Sequence, residues 1–189
     1  MTLDTELIVR GRPLGLAQLL AQAEAKPPAQ SAVDDINTDA LWPGKYTYVQ
    51  IPRAEMPEHA FEGLVPRFAE RVAGHNILVV GRNFGCGSSR EQASECLIAC
   101  GLQVVIATSF ARIFLRNSIN LGLCVVEAPE FVHAWSAGAI DRDTLLEVRM
   151  DSGRLFAGDQ TYSFPAFPPF VCDLLRDGGL IPSIRRRFV

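Results

Sequence analysis

The chain has 189 residues, of which 48% are hydrophobic and 21% charged, and a formal net charge of −3. A single domain of this size buries roughly two-thirds of its unfolded surface without help from metal or disulfides, and the acidic balance excludes the basic face that nucleic-acid binding requires. Five cysteines without paired spacing exclude a secreted disulfide scaffold. No apolar run approaches the roughly 20 residues of a membrane span, and the first seven residues, with two acids, lack the apolar stretch of a signal peptide. A soluble, cytoplasmic protein is expected.

Residues 6–10 read as a short strand and residues 14–25, rich in Ala, Leu and Gln, as a helix. Lys26, Pro27 and Pro28 then break the chain. Residues 1–33 are thus expected to be a strand plus a helical insert and linker ahead of a domain over residues 34–182. Residues 34–62 are loop-rich, punctuated by Pro43, Gly44, Pro52 and Pro57. From Asn76 the texture changes. Residues 77–80 are continuously apolar, as in a strand buried on both faces. A glycine-rich turn follows, then a helix expected over residues 88–99 with Gly101 as its cap. Strand 104–107, helix 110–119 and strand 123–126 continue the alternation, which predicts right-handed βαβ units and a largely parallel sheet. A helix at 129–137, a hairpin over 145–164 turning at Asp151, Ser152 and Gly153, and a helix at 170–176 complete the domain. Arg185, Arg186 and Arg187 belong to a basic tail, residues 183–189, expected to be a solvated charge run or, alternatively, a docking contact.

The chemistry concentrates in residues 81–91, Gly-Arg-Asn-Phe-Gly-Cys-Gly-Ser-Ser-Arg-Glu. Glycines allow positive φ and close approach of a ligand. A helix start offers free N–H groups and partial positive charge to an anion, and Arg90 adds a forked donor matched to a carboxylate. The segment therefore reads as an anion site with Ser88 and Ser89 as its hydroxyls. It is not a dinucleotide fingerprint, because Arg90 stands where a third glycine is needed, nor a P-loop, because position 88 is Ser. The competing reading makes Ser88 a helix cap, with Glu91 completing a capping box. That reading leaves the glycines and the arginine unexplained. Cys96 and Cys100 have no partner Cys or His at ligand spacing, so core packing is expected of the cysteines and no metal on this chain.

Residues 83–91 resemble the signature of the aconitase superfamily's swivelling domain, which occurs as the small subunit of isopropylmalate dehydratases and homoaconitases. Three further stretches agree in order and spacing: Asp35-Ile-Asn-Thr-Asp39 with Pro43-Gly-Lys-Tyr46, residues 109–117, and residues 174–180. The resemblance implies a three-layer β/β/α swivelling domain with a parallel βαβ core, and a hydro-lyase that removes and restores water on a hydroxy acid. It implies a separate large subunit carrying a [4Fe–4S] cluster as Lewis acid, with no cofactor on this chain, and an apolar surface that meets that subunit. Ser88 would be the base that takes the proton α to a carboxylate, Arg90 the carboxylate clamp, Ser89 a secondary hydroxyl, and Asp39 a group that orients partners or shuttles a proton. Two departures stand out: Gln92 where many relatives have His, and the insert over residues 14–33. Tyr46, Thr47, Tyr48 and Val49, in the loop that meets the substrate's variable arm in this family, favour an alkyl arm and so isopropylmalate; Lys45 and Arg53 nearby keep homoaconitate open. A non-catalytic anion-binding or assembly module of the same fold is the reading of a different class.

Overall fold

Successive side chains of a strand point to opposite faces, so three consecutive fully apolar strands need a covered sheet on both sides. The computed structural model describes residues 6–23 and 33–188. It contains a four-stranded parallel sheet and a four-stranded antiparallel sheet. The elements in chain order are β1 (Ile8–Gly11), β2 (Pro13–Gly15), α1 (Leu16–Gln22), α2 (Thr38–Leu41), α3 (Phe68–Arg71), β3 (Ile77–Val79), α4 (Glu91–Ala99), β4 (Val104–Ala107), α5 (Arg112–Leu121), β5 (Cys124–Glu127), α6 (Pro129–Ser136), β6 (Leu146–Arg149), β7 (Arg154–Ala157), β8 (Gln160–Ser163), α7 (Pro169–Arg176) and α8 (Leu180–Phe188).

The parallel sheet runs β2-β3-β4-β5, with Ile77 in register with Val104 and Val104 with Cys124. One face presents Leu78, Val80, Val105 and Val125 to Leu16 and Leu19 of α1, Leu97 of α4 and Phe114 of α5. The other presents Ile77, Val79, Val104 and Ile106 to Phe131 and Trp135 of α6 and to Val148 and Leu155 of the antiparallel sheet β1-β6-β7-β8. Helices, parallel sheet and antiparallel sheet form the three layers that the family resemblance implied. Each fully buried aliphatic or phenyl side chain in these cores contributes about 1.5–3 kcal/mol.

Several elements differ from the sequence reading. Leu14 and Gly15 do not begin the helix expected from residue 14 but belong to an edge strand, Pro13–Gly15, paired in parallel with β3; proline is tolerated there because it is the strand's first residue. The expected hairpin over 145–164 is a three-stranded meander, turning a second time between Ala157 and Gln160. Helix α4 starts at Glu91 rather than at Ser88. The basic run is the last turn of α8, which packs on α5 and α7 through buried Ser183. Its arginines are exposed, and Arg186 pairs with Asp177 at 2.6 Å. The chain break expected at residues 26–31 and the residues ahead of Glu6 lie outside the described residues. Within those described, no helix is long and apolar enough to cross a membrane.

Candidate active site

The turn joining β3 to α4 is held from both sides. Residues 34–38 run beside it as a bridge: the Asp35 N–H donates to the Arg82 carbonyl, the Gly85 N–H to the Ile36 carbonyl and the Thr38 N–H to the Cys86 carbonyl, each at 2.8 Å. On the other side Phe84 exchanges backbone bonds with Ser109 and Ala111, each at 3.0 Å, and the Asn83 N–H donates to Ser109 Oγ at 2.9 Å. Asp34 Oδ1 accepts from the Arg82 N–H at 2.6 Å, while Asp35 accepts from the Arg82 guanidinium at 2.7 Å and from the Asn83 amide at 2.8 Å. Each such bond contributes about 1 kcal/mol net, and together they leave the turn little freedom.

Two glycines make the path possible. Gly85 (φ +77°) lies so close to α5 that a Cβ there would be 2.2 Å from the Phe114 ring. Gly87 (φ +96°) turns the chain outward. The turn thereby lifts Ser88 and Ser89 into solvent ahead of the helix. Thr38, itself buried, donates its hydroxyl to the Ser88 carbonyl at 3.0 Å and fixes the backbone there. Neither serine hydroxyl has a hydrogen-bond partner among the described residues. Arg90, not Ser88, is the N-cap of α4, and no side chain caps it. The capping-box reading of Ser88 and Glu91 therefore fails, and so does the placement of Arg90 inside the first turn.

Arg90 is tucked in, its side chain 14% exposed. Its guanidinium makes an ion pair with Asp39, which is 54% exposed, and donates to the Trp42 carbonyl at 3.4 Å. Asp39 reaches it from α2, whose N-cap Asn37 accepts the Ala40 N–H at 2.8 Å. Gly44 flanks the pair; a Cβ there would lie 3.1 Å from the Asp39 carboxylate and 3.5 Å from the Arg90 guanidinium. The structure thus brings Asp39, Ser88, Ser89 and Arg90 to one end of the parallel sheet. The sequence reading did not single out Thr38, Trp42 or Gly44. All three lie in or beside the stretches that resemble the family, but their contacts cross some 50 residues and leave no local pattern.

Beside this cluster opens a cleft of about 560 Å³ between the 47–52 loop and α4, lined also by Trp42, Met56, Gln92 and Glu95. Lys45 is turned away into a pair with Glu62 at 2.8 Å, to which Tyr46 also donates at 2.8 Å. That hydrogen bond from Lys45 holds the Glu62 carboxyl below the usual range and raises the Lys45 ammonium.

The cysteines do not gather. Cys96, Cys124 and Cys172 are buried in different elements. Burial pushes the Cys96 thiol well up and those of Cys100, Cys124 and Cys172 to about 12, so they are poor thiolate ligands. Among the described residues no group of three or more His, Cys, Asp or Glu side chains is placed to hold a metal ion.

Residues 29–130 match the protein family described as the aconitase C-terminal domain. The 3-isopropylmalate dehydratase small subunit of Moorella thermoacetica is 43% identical over 159 residues, covering 82% of this chain and 90% of the relative. That of Methanosarcina acetivorans is 41% identical over 155 residues, covering 81% and 91%. The crystal structure of 3-isopropylmalate dehydratase from Methanocaldococcus jannaschii superposes with a TM-score of 0.71 at 31% identity, covering 95% of both chains.

Proposed function

The chain belongs to the aconitase C-terminal domain family, among the 3-isopropylmalate dehydratase small subunits, and on that premise we propose that it supplies the proton-handling and carboxylate-gripping half of such a hydro-lyase. The partner in this reading is a large subunit that closes over the Ser88 tip. The [4Fe–4S] cluster that the family implies does not fit the described residues of this chain, whose thiols are scattered and mostly protonated. It is assigned to the large subunit. The activity is a step of leucine biosynthesis, and we place the chain in the cytoplasm on the strength of that role.

The observation that carries the proposal is an unengaged serine hydroxyl on a backbone fixed by Thr38, next to an arginine already oriented by Asp39. Arg90 holds a substrate carboxylate with the part of its fork not engaged by Asp39 and Trp42. Ser88 Oγ takes the proton from the carbon α to that carboxylate. The C–H electron pair forms the double bond as the C–O bond at the neighbouring carbon breaks; the oxygen leaves as hydroxide, which the large subunit's Lewis acid would take up, and the reverse sequence returns hydroxide and the Ser88 proton with the positions exchanged. A serine is a weak base at its free pKa. The guanidinium beside it stabilises both the alkoxide and the negative charge that builds on the carboxylate. Ser89 gives a second hydroxyl at the same tip, and Asp39 keeps the guanidinium from swinging into solvent.

The test is reconstitution. Mixed with a cluster-loaded large subunit, the chain should convert 3-isopropylmalate, and alone it should not. Ser88→Ala should assemble normally and lose turnover. Full turnover by that variant would remove Ser88 from the chemistry and leave the chain an assembly module.

A further inference from the structure

The cleft beside the reacting groups contains an asymmetry of charge. Its wall mixes apolar and polar surface in near-equal parts, the apolar part made by Trp42, Tyr48, Val49, Ile51, Pro52 and Met56. Gln50 and Gln92 are neutral, and Trp42 Nε1 and Thr47 Oγ1 are sealed beneath the surface. Among the described residues, the single carboxyl or cation on the wall is Glu95. The two cations that sequence proximity suggested, Lys45 and Arg53, do not line it, and Lys45 is committed to Glu62.

Glu95 is also well placed relative to the chemistry. It lies in the second turn of α4, the helix whose N-cap is Arg90, and shares the cleft-facing side with Gln92 three residues before it. Trp42 joins the two regions: its carbonyl accepts from Arg90 and the residue itself borders the cleft. A substrate gripped by its carboxylate at Arg90 would therefore send its variable arm past Glu95.

We infer that Glu95 is a specificity-determining residue, a fixed negative charge that admits an uncharged alkyl arm to this cleft and rejects an arm ending in a carboxylate. The inference rests on the proposed function and deepens it by assigning substrate discrimination to a residue. Discrimination of this kind needs a repulsive element against the competitor as well as a fit for the true substrate. Shape alone gives little, because the 47–52 loop is largely exposed, Tyr48 at 98%. Charge persists whatever the loop does.

The experiment uses the reconstituted two-subunit enzyme and measures kcat and KM for 3-isopropylmalate and for a homologous hydroxy acid whose arm ends in a carboxylate. Glu95→Gln keeps the size and removes the charge. It should raise kcat/KM for the acidic-armed acid about tenfold, mainly through KM, as one like-charge contact at partial solvent screening implies. The readout is the ratio of the two kcat/KM values, which the variant should move toward the acidic-armed acid. Glu95→Asp should retain the discrimination. In the unmutated enzyme, rising salt should narrow the preference, a readout that needs no variant. An unchanged preference in Glu95→Gln, or an Asp variant that behaves like Gln, would overturn the inference while leaving the hydro-lyase reading intact. An unmutated enzyme inactive on both acids would reject the proposed function itself, and the inference with it.

Discussion

Two segments border the candidate site, and they are built in opposite ways. The turn over residues 82–90 is braced by backbone bonds to residues 35–38 on one side and to Ser109 and Ala111 on the other. The 47–52 loop, across the cleft, has Tyr48 and Val49 standing in solvent. The comparison separates two duties. Groups that move a proton must be held where the transition state needs them, whereas the wall that meets the variable arm can adapt, provided something rigid behind it sets the charge. Here Glu95, on the helix, does that.

The largest effect expected from breaking this contrast lies in the chemistry. Ser88→Ala should lower kcat by about 10³-fold or more, within the range for loss of a general base, with assembly checked by gel filtration. Arg90→Lys should follow at about 10²-fold in kcat/KM, because a point charge cannot replace the fork shared by Asp39, the Trp42 carbonyl and substrate. On stability, Gly85→Ala should cost about 2–4 kcal/mol in urea unfolding, through collision with Phe114 and a disfavoured φ. Tyr48→Ala on the opposite loop should stay within about 0.5 kcal/mol. If both cost the same, the contrast between braced turn and adaptable loop is wrong.

Two finer tests sharpen it. Glu62 anchors the Gly44–Tyr46 turn that leads into the loop, and its carboxyl is held below the usual range by Lys45 and Tyr46. A depressed carboxyl contributes stability above its unfolded pKa and loses it as pH falls. The stability difference between the unmutated chain and Glu62→Gln should therefore shrink between about pH 6 and about pH 3. It should be small throughout, since the pair is exposed. Among the thiols, mild alkylation should label Cys86, on the turn, before buried Cys96, Cys124 and Cys172; peptide mapping reads the order.

How much of this was legible in the sequence depended on whether the signal was local. Residues 77–80, 104–107 and 123–126 announced buried strands because both faces are apolar, and the alternation with helices then implied the parallel sheet. β2 was hidden, since three residues with a proline and a glycine carry no strand pattern. The helical last turn was masked by its three arginines, although Leu180, Ile181 and Ile184 recur at helical spacing. At the site, glycines and serines marked the turn, but two serines followed by Glu91 mimic a helix start. The extended backbone of Arg90, which delays the helix to Glu91, is a backbone choice that residue names do not reveal. The Asp39–Arg90 pair and the meeting of Glu95 with the 47–52 loop join residues far apart in the chain, and only the fold brings them together.

Trp42 has its carbonyl against the arginine and borders the cleft, so its fluorescence should respond to anything that enters. The chain has one other tryptophan, Trp135, deep in the second core beneath Arg142. Replacing that residue with Phe would leave a single emitter. Occupancy of the cleft could then be followed optically, in real time and without a label, even on a subunit that turns nothing over by itself.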